Sequence, residues 1–289
     1  MKSNQSGKTA VLSGSTGGIG NAIAKLLGER GYDLALVNRS ASKMEAQANE
    51  LREACPGISI TTFTADLLDQ SQIIEVCKEI EQTHPRVAAI FNVAGLLTSS
   101  RIESAQGIEG HFAINTVAPF LFAKHLSGGL DASAKSGERP VVVTFGSSAV
   151  NSLKGLDVGS LANPSEIGGL MGAYAKTKLA LTAMTLYMSE AQRDSGVSFL
   201  CVDPGPTKTT MTNSGDGMPW FLKLLVPFIF KSAEVQAKRL VDGVEKARAD
   251  GETGLYISEG KRKTYPVVAR NETIQAELNQ LLMELSTNK

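Results

Sequence analysis

Residues 9–20 read TAVLSGSTGGIG, and in this stretch a short apolar strand runs into a glycine-rich turn. Gly14, Gly18 and Gly20 make the spacing GxxxGxG. Glycines at such a turn let the backbone approach a pyrophosphate, which rests on the N-terminus of the helix that follows. Strand, glycine turn and helix in this order indicate a dinucleotide-binding fold; the alternative is a flexible loop before a helix.

The residues after this turn have a helical pattern, with Ile23, Leu26 and Leu27 on one face. No Lys-Ser or Lys-Thr pair follows Gly20, so the turn is not a Walker A loop.

The second predicted strand, over 34–37, ends at Asn38 and Arg39. In a dinucleotide fold the end of this strand meets the adenosine ribose, where an acidic residue would bind the 2′-hydroxyl of NAD. Neither residue is acidic, and the planar guanidinium of Arg39 can bind a 2′-phosphate bidentately. The pair therefore favours NADP, unless Arg39 is simply a solvated loop residue.

Strands and helices alternate along the rest of the chain. The predicted strands lie at 9–13, 34–37, 58–65, 87–93, 141–145, 197–202 and 254–258. The strand at 141–145 is apolar throughout, as expected for a strand covered on both faces. The alternation predicts an α/β fold, with a single doubly wound Rossmann-type domain over residues 1–289 and a seven-stranded parallel sheet. Apolar residues at helical spacing over 274–285 predict a docked amphipathic helix at the end.

The composition of the 289 residues narrows the class of protein. Apolar residues make up 42% and charged residues 20%, with a formal net charge of zero, so nucleic acid is not an expected partner. The three cysteines and three histidines form no CxxC or HExxH pattern, and we expect no metal site. The N-terminus lacks the apolar region of a secretory signal, and the longest apolar stretch is too short to span a bilayer. These features predict a cytoplasmic protein that acts on a small molecule.

Tyr174 and Lys178 form a YxxxK pattern on a predicted helix. Residues four apart share one helix face, so the two side chains can enter one pocket, whereas Lys176 cannot join them. An ammonium group beside a phenol favours the phenolate, and we therefore expect a lowered tyrosine pKa suited to proton transfer. The alternative is a half-buried tyrosine above a solvated lysine.

Two further stretches carry candidate functions. Asn115 lies on a predicted long helix among apolar neighbours, where its amide needs hydrogen-bond partners or bends the helix. The apolar segment 219–230, within 213–231, follows the sixth strand, where loops at the carboxyl edge of a parallel sheet line a ligand site. We expect it to be a substrate lid; a peripheral membrane contact and plain core are the alternatives.

Together these motifs resemble the short-chain dehydrogenase/reductase family over nearly the whole chain. By this resemblance, the catalytic residues of the family correspond to Asn115, Ser147, Tyr174 and Lys178, with Ser148 as the alternative serine. Ser13 stands where Thr is usual, and Val93 replaces the second Asn of the NNAG motif. The resemblance assigns the cofactor contacts to Gly14, Ser15, Thr16, Gly18, Ile19, Gly20, Asn38, Arg39, Ser40, Asp66, Leu67, Asn92, Ala94, Gly95, Tyr174, Lys178, Pro204, Gly205, Thr207 and Thr209.

Ser147 and Tyr174 lie 27 positions apart, so the loop between them is longer than is usual in the family. This loop and the segment from Pro219 to Tyr256 are similar to the retinol-dehydrogenase-like and protochlorophyllide-reductase-like branch, whose members often handle bulky apolar substrates. The resemblance implies an NADP(H)-dependent oxidoreductase that interconverts an alcohol and a carbonyl. In this reaction Tyr174 would exchange the proton, Ser147 would hold the substrate oxygen, and Asn115 would hold a helix kink and a water.

Other functions compete with this reading. The chain could be a non-catalytic dinucleotide-binding sensor or scaffold, although such a protein has no need of a paired tyrosine and lysine. An epimerase or dehydratase on the same fold would usually carry a larger C-terminal domain. The family is often dimeric or tetrameric through its long helices, so a homodimer is a further expectation, although members of the retinol-dehydrogenase-like branch can be monomeric.

Overall fold

The computed structural model describes residues 8–205 and 232–287. Its centre is one sheet with strand order β3-β2-β1-β4-β5-β6-β7-β8. The strands are β1 (Thr9–Ser13), β2 (Asp33–Asn38), β3 (Ile60–Thr64), β4 (Val87–Asn92), β5 (Val141–Phe145), β6 (Ser198–Asp203), β7 (Leu255–Ser258) and β8 (Lys261–Lys263). The first seven pair in parallel, and the order reverses direction between β1 and β4, which is the doubly wound arrangement.

Helices cover both faces of the sheet. They are α1 (Gly18–Glu29), α2 (Ala41–Ala54), α3 (Gln70–Thr83), α4 (Gly110–Phe112), α5 (Ala118–His125), α6 (Ser127–Lys135), α7 (Gly169–Ala191), α8 (Ala233–Asp250) and α9 (Glu272–Leu285). Side chains supply the starting caps of several helices: Asp69 accepts from the Ser71 N–H before α3, and Asn271 accepts from the Ile274 N–H before α9.

Alternate residues of the central strands point to opposite faces of the sheet and belong to two separate hydrophobic cores. Leu12 and Leu36 face the core under α1 and α8, whereas Val11 and Val37 face the core under α3, α5 and α7. All four side chains are fully buried, and each such burial stabilises the fold by about 1.5–3 kcal/mol. Burial on both faces explains why these strands are continuous apolar runs.

The predicted seven-stranded parallel sheet is wrong in one respect, because the sheet has an eighth strand. Glu259 and Gly260 have φ values of 50° and 77° and form the two-residue turn between β7 and β8. A turn with two positive φ values matches the twist of antiparallel strands, so β8 folds back on β7. Its residues, Lys261–Lys263, are all exposed and charged; they lack strand alternation and suit an edge that must not pair further.

The predicted long helix around Asn115 is divided into parts. Between α4 and α5 the chain forms a π-helical turn, Ala113–Val117, and the helix is interrupted again at Leu126 before α6. Such π-turns insert one extra residue and re-aim the side chains around them.

The predicted amphipathic tail is confirmed: Leu278 and Leu282 of α9 are fully buried in the core that also contains α7. No helix in the described ranges is long and apolar enough to cross a bilayer. The single domain over 1–289 stays a prediction, and the expected lid at 213–231 lies outside the described residues.

Candidate active site

The glycine turn lies at the carboxyl edge of β1, packed directly against the loop after β4. Gly14 has φ +74°, and a Cβ there would come within 2.6 Å of the Ala94 backbone. A Cβ on Gly20 would come within 2.3 Å of the Gly14 carbonyl oxygen. The Ala94 N–H also donates to the Ser13 carbonyl at 3.1 Å. Only glycine fits these two positions, because a side chain at either one would collide with the neighbouring backbone.

A buried polar network supports this turn from below. The Asn38 amide donates to Ser15 Oγ at 2.7 Å, and Ser15 Oγ donates to Gln47 Oε1 at 2.8 Å. Gln47 in turn donates to the Ser15 carbonyl at 2.7 Å, and the Thr16 N–H approaches Asn38 Oδ1 at 3.4 Å. The side chains of Asn38 and Ser15 therefore fix the turn. Sequence reasoning missed Gln47, since a glutamine on a helix carries no signal of such a role.

Thr16 and Gly18 are exposed at the mouth of the turn, while the Ile19 side chain is buried in the core beneath α1. Of these neighbouring residues, Thr16 and Gly18 can face a ligand directly. Ile19 offers a ligand only its backbone.

Arg39 and Asp66 face each other at the ends of β2 and β3. Arg39 Nη1 lies 3.9 Å from Asp66 Oδ2, and the Arg39 side chain is 75% exposed. Asp66 also accepts from the Leu68 N–H at 3.0 Å, which holds its carboxylate in place. Ser40 caps α2, with its hydroxyl 3.4 Å from the Lys43 N–H. The guanidinium is thus an open cation beside the glycine turn.

Asn92 ends β4 with a buried side chain, 2% exposed, and finds no hydrogen-bond partner for either amide atom within the described residues. A buried amide without partners is costly, and a bound ligand is one way to satisfy it. The half-buried Ala94 and Gly95 follow it, and Leu67 packs partly buried against the core. The glycine turn, the exposed guanidinium of Arg39 beside Asp66, and this unpartnered amide fit a bound dinucleotide.

Ser147, Tyr174 and Lys178 come together at the end of β5. The Ser147 hydroxyl hydrogen-bonds the Tyr174 hydroxyl, whereas Ser148 is exposed. Lys178 is 4% exposed; its Nζ donates to the Phe145 carbonyl at 2.7 Å and lies 5.9 Å from the centre of the Tyr174 ring. The helix α7 thus places Tyr174 and Lys178 on one face, as the YxxxK spacing predicts.

The expected lowering of the tyrosine pKa by Lys178 is not seen. Burial raises the pKa of Tyr174 above its ordinary value, the hydrogen bond from Ser147 lowers it, and the negative charge of Asp203 raises it. Burial lowers the pKa of Lys178 to about 8, because the ammonium loses its water. Lys178 donates to a backbone carbonyl in place of the phenol, which explains the difference.

Asn115 sits in the π-turn with a fully buried side chain. Its Oδ1 accepts from the Leu96 N–H at 2.8 Å, and its Nδ2 donates to the Leu96 carbonyl at 3.0 Å and to Thr177 Oγ1 at 3.1 Å. The amide joins the loop after β4 to α7, one residue before Lys178. The helix irregularity expected at Asn115 is present.

A buried pair, Glu109 and His111, anchors the same loop. His111 Nδ1 lies 2.7 Å from Glu109 Oε1, and His111 Nε2 accepts from the Thr98 N–H at 3.2 Å. Burial raises the pKa of Glu109, but hydrogen bonds from His111 and from backbone N–H groups bring it below its ordinary value. The Glu109 N–H donates to the Ala162 carbonyl at 2.8 Å, which ties in the long loop before α7.

The loop after β6 completes the described part of the site. Gly205 has φ +67°, and its N–H donates to Asp203 Oδ1 at 2.8 Å; Gln236 hydrogen-bonds the Pro204 carbonyl. Thr207 and Thr209 lie outside the described residues. Within 8–205 and 232–287 no three His, Cys, Asp or Glu residues are grouped as metal ligands.

Comparison with known proteins agrees with this geometry. The family model described as short chain dehydrogenase matches residues 8–218. The polyprenol dehydrogenase of Homo sapiens is 25% identical over 277 residues, covering 94% of this chain and 82% of that protein. Retinol dehydrogenase 11 of Mus musculus is 26% identical over 277 residues, covering 94% and 84%.

Among solved structures, the L-sorbose reductase of Gluconobacter frateurii, complexed with NADPH and L-sorbose, superposes with a TM-score of 0.68 at 21% identity, covering 91% of this chain and 100% of that one. The match of the family model to most of the chain, together with relatives from the retinol-dehydrogenase-like branch, confirms the resemblance drawn from the motifs. The chain belongs to the short-chain dehydrogenase family and is an oxidoreductase of that family.

Proposed function

We propose that this oxidoreductase prefers NADP(H) and interconverts a secondary alcohol, or an aldehyde or ketone carbonyl, by hydride transfer on a bulky, largely apolar substrate. The observation that carries the proposal is the grouping of Ser147, Tyr174 and Lys178 at the same edge of the sheet as the glycine turn. A dinucleotide-binding sensor or scaffold would not need a serine hydrogen-bonded to a tyrosine with a buried lysine behind it.

The proposed roles follow from the contacts of these side chains. A bound nicotinamide dinucleotide supplies the hydride donor or acceptor. Ser147 hydrogen-bonds the substrate oxygen, and the Tyr174 hydroxyl gives its proton to that oxygen in reduction or accepts it back in oxidation. The Lys178 ammonium holds the nicotinamide ribose. Asn115 keeps α7 and the loop after β4 in register.

For the cofactor, we assign the pyrophosphate to the backbone of the glycine turn and the adenosine ribose phosphate to Arg39. The solved relative that binds NADPH supports a nicotinamide dinucleotide in general, while Arg39 and the lack of a carboxylate at Asn38 support the phosphorylated form. We expect NADPH to bind at least about tenfold tighter than NADH, a difference of about 1.4 kcal/mol.

Titration calorimetry with both cofactors tests this preference. Arg39→Ala should remove most of the difference by weakening NADPH binding alone. Arg52→Ala, which removes an exposed arginine at the other end of α2, is the matched control. Equal affinities in the unmodified protein would refute the preference.

Tyr174→Phe tests the reaction itself, because it removes one hydroxyl and keeps the ring. General acid catalysis contributes about 10²–10⁴-fold, so turnover should fall at least a hundredfold while NADPH affinity changes little. Tyr187→Phe alters a half-buried tyrosine of the same helix and should leave turnover intact. A Tyr174→Phe protein with unchanged turnover would show that the proton comes from another group.

The substrate class rests on the relatives named for polyprenol and retinol, both long apolar alcohols. A panel of steroids, retinoids, polyprenols, aromatic ketones and acyl-chain carbonyls, followed by NADPH oxidation, tests it. Preference for small polar carbonyls would contradict the proposal. Tight NADPH binding without turnover of any member would favour the sensor reading.

A cytoplasmic location and a homodimer stay proposals, to be tested by cell fractionation and by sedimentation.

A further inference from the structure

Asp203, the last residue of β6, carries a carboxylate that is 3% exposed. Its Oδ1 accepts from the Gly205 N–H at 2.8 Å, and its Oδ2 accepts from Ser258 Oγ at 3.3 Å. The Tyr256 hydroxyl is a third partner. No Lys or Arg of the described residues forms an ion pair with it. Three donors favour the ionised form of a carboxylate, so Asp203 is a buried negative charge held by neutral groups.

The strand register places this charge next to the reacting side chains. Phe145 of β5 pairs with Val202 of β6, and the Gly146 N–H donates to the Val202 carbonyl at 2.8 Å. Asp203 therefore lies across from the segment that leads into Ser147. Lys178 Nζ binds the Phe145 carbonyl, one step earlier on the same ladder. Neighbouring strands are about 4.8 Å apart, so the backbone of Asp203 is adjacent to that of Gly146.

The titratable groups that interact electrostatically with Asp203 or with those reacting side chains come from four elements: Tyr174 and Lys178 from α7, Cys201 from β6, Tyr256 from β7, and Glu259 from the turn before β8. The Asp203 charge raises the pKa of Tyr174 and opposes the burial that lowers the pKa of Lys178. Burial of Asp203 raises its own pKa, the hydrogen bonds from Gly205 and Ser258 lower it, and the charge of Glu259 raises it.

We propose that Asp203 is a positioning residue with two roles: it fixes the Pro204–Gly205 turn, and its buried negative charge opposes a second negative charge on Tyr174. The inference rests on the proposed function of Tyr174. A protonated tyrosine is the form that donates the proton in carbonyl reduction, and a charge on Asp203 extends the pH range of that form upward. In oxidation the same residue would have to be deprotonated first.

Asp203→Asn separates the two roles. The asparagine keeps the shape of the side chain and an oxygen that accepts from the Gly205 N–H, but it removes the charge. The midpoint of Tyr174 ionisation should fall, because the neighbouring negative charge that disfavours the phenolate is gone. The pH at which reduction begins to slow and the pH at which oxidation begins to accelerate should both move down by the same amount as this midpoint.

The first readout needs no cofactor: phenolate absorbance is titrated in the wild-type protein and in Tyr174→Phe, and the difference isolates Tyr174. The same pair of titrations is made in the Asp203→Asn background. The second readout is the pH profile of kcat/KM in both directions. Asp203→Glu retains a charge and should keep the wild-type midpoint. It supplies a second comparison if the asparagine variant misfolds.

Tyr256→Phe is the matched control, because it removes a hydrogen bond to Asp203 and leaves the charge. It should not lower the Tyr174 midpoint. If Asp203→Asn slows turnover but leaves both the absorbance titration and the pH profiles unmoved, the charge has no such role and the inference is overturned. Failure of the proposed function would look different: Tyr174→Phe would keep its turnover, whatever the absorbance titration shows.

Discussion

The burial of Lys178 predicts a pH dependence of stability that one substitution can isolate. The lysine is almost completely enclosed, and its pKa falls from the ordinary 10.5 to about 8. Between these two pH values the unfolded chain holds a proton that the folded chain has released. Unfolding then becomes harder as the pH rises, by about 1.4 kcal/mol per unit for one proton.

Across this window the contribution of Lys178 adds up to about 3 kcal/mol in the free energy of unfolding. The protonated lysine therefore costs the folded protein stability below pH 8, and the cost disappears as the pH approaches 10.5. A methionine at this position has no proton to release. We expect the stability of the wild type relative to Lys178→Met to be constant below pH 8 and to increase by about 3 kcal/mol above it.

Urea denaturation of both proteins without cofactor, at a series of pH values, measures this difference and cancels the other titrating groups. Lys176→Met is the control, because Lys176 lies on the same helix but is exposed. Its curve should run parallel to that of the wild type. Parallel curves for Lys178→Met as well would show that the buried lysine keeps an ordinary pKa and would refute the reasoning.

Three other substitutions test the framework around the site. Gly14→Ala places a Cβ against Ala94 at a positive φ, so cofactor binding by calorimetry should be lost and thermal stability should fall. Asn115→Leu leaves the N–H and the carbonyl of Leu96 without their hydrogen-bond partner, and each unsatisfied group costs about 1–3 kcal/mol, measurable by urea denaturation. Unchanged stability would mean that the loop finds other partners. Leu282→Ala empties a fully buried position of α9 and should cost about 2–5 kcal/mol in the same assay.

The sequence predicted the fold best at positions where one physical requirement allows only a few residue types. Apolar strands buried on both faces, such as 141–145, and a glycine turn without room for a Cβ could be located from the residues alone. The hairpin to β8 was missed because an exposed, charged edge strand of three residues has no apolar alternation. Its Glu259-Gly260 turn was the signal available, but a glutamate with positive φ is unusual.

The electrostatics of the site could not be predicted from spacing. YxxxK correctly places Tyr174 and Lys178 together, but the pattern does not say that the ammonium turns to the Phe145 carbonyl. Nor does it show that Asp203, in another strand, shares the same buried space. Such effects depend on which groups lose water together, and that is a property of the folded chain.

The position of α9 has a consequence for assembly. Leu278 and Leu282 pack into the core beside α7, and Lys124 at the end of α5 donates to Ser286 just after α9 at 2.7 Å. The chain thus closes over the outer side of its own long helix with its own last helix. A second molecule could contact that side of α7 only if α9 first dissociated from it, which would expose Leu278 and Leu282 to water. The strip of α7 that α9 covers is therefore closed to self-association in the folded state, and removing α9 would expose an apolar strip to solvent.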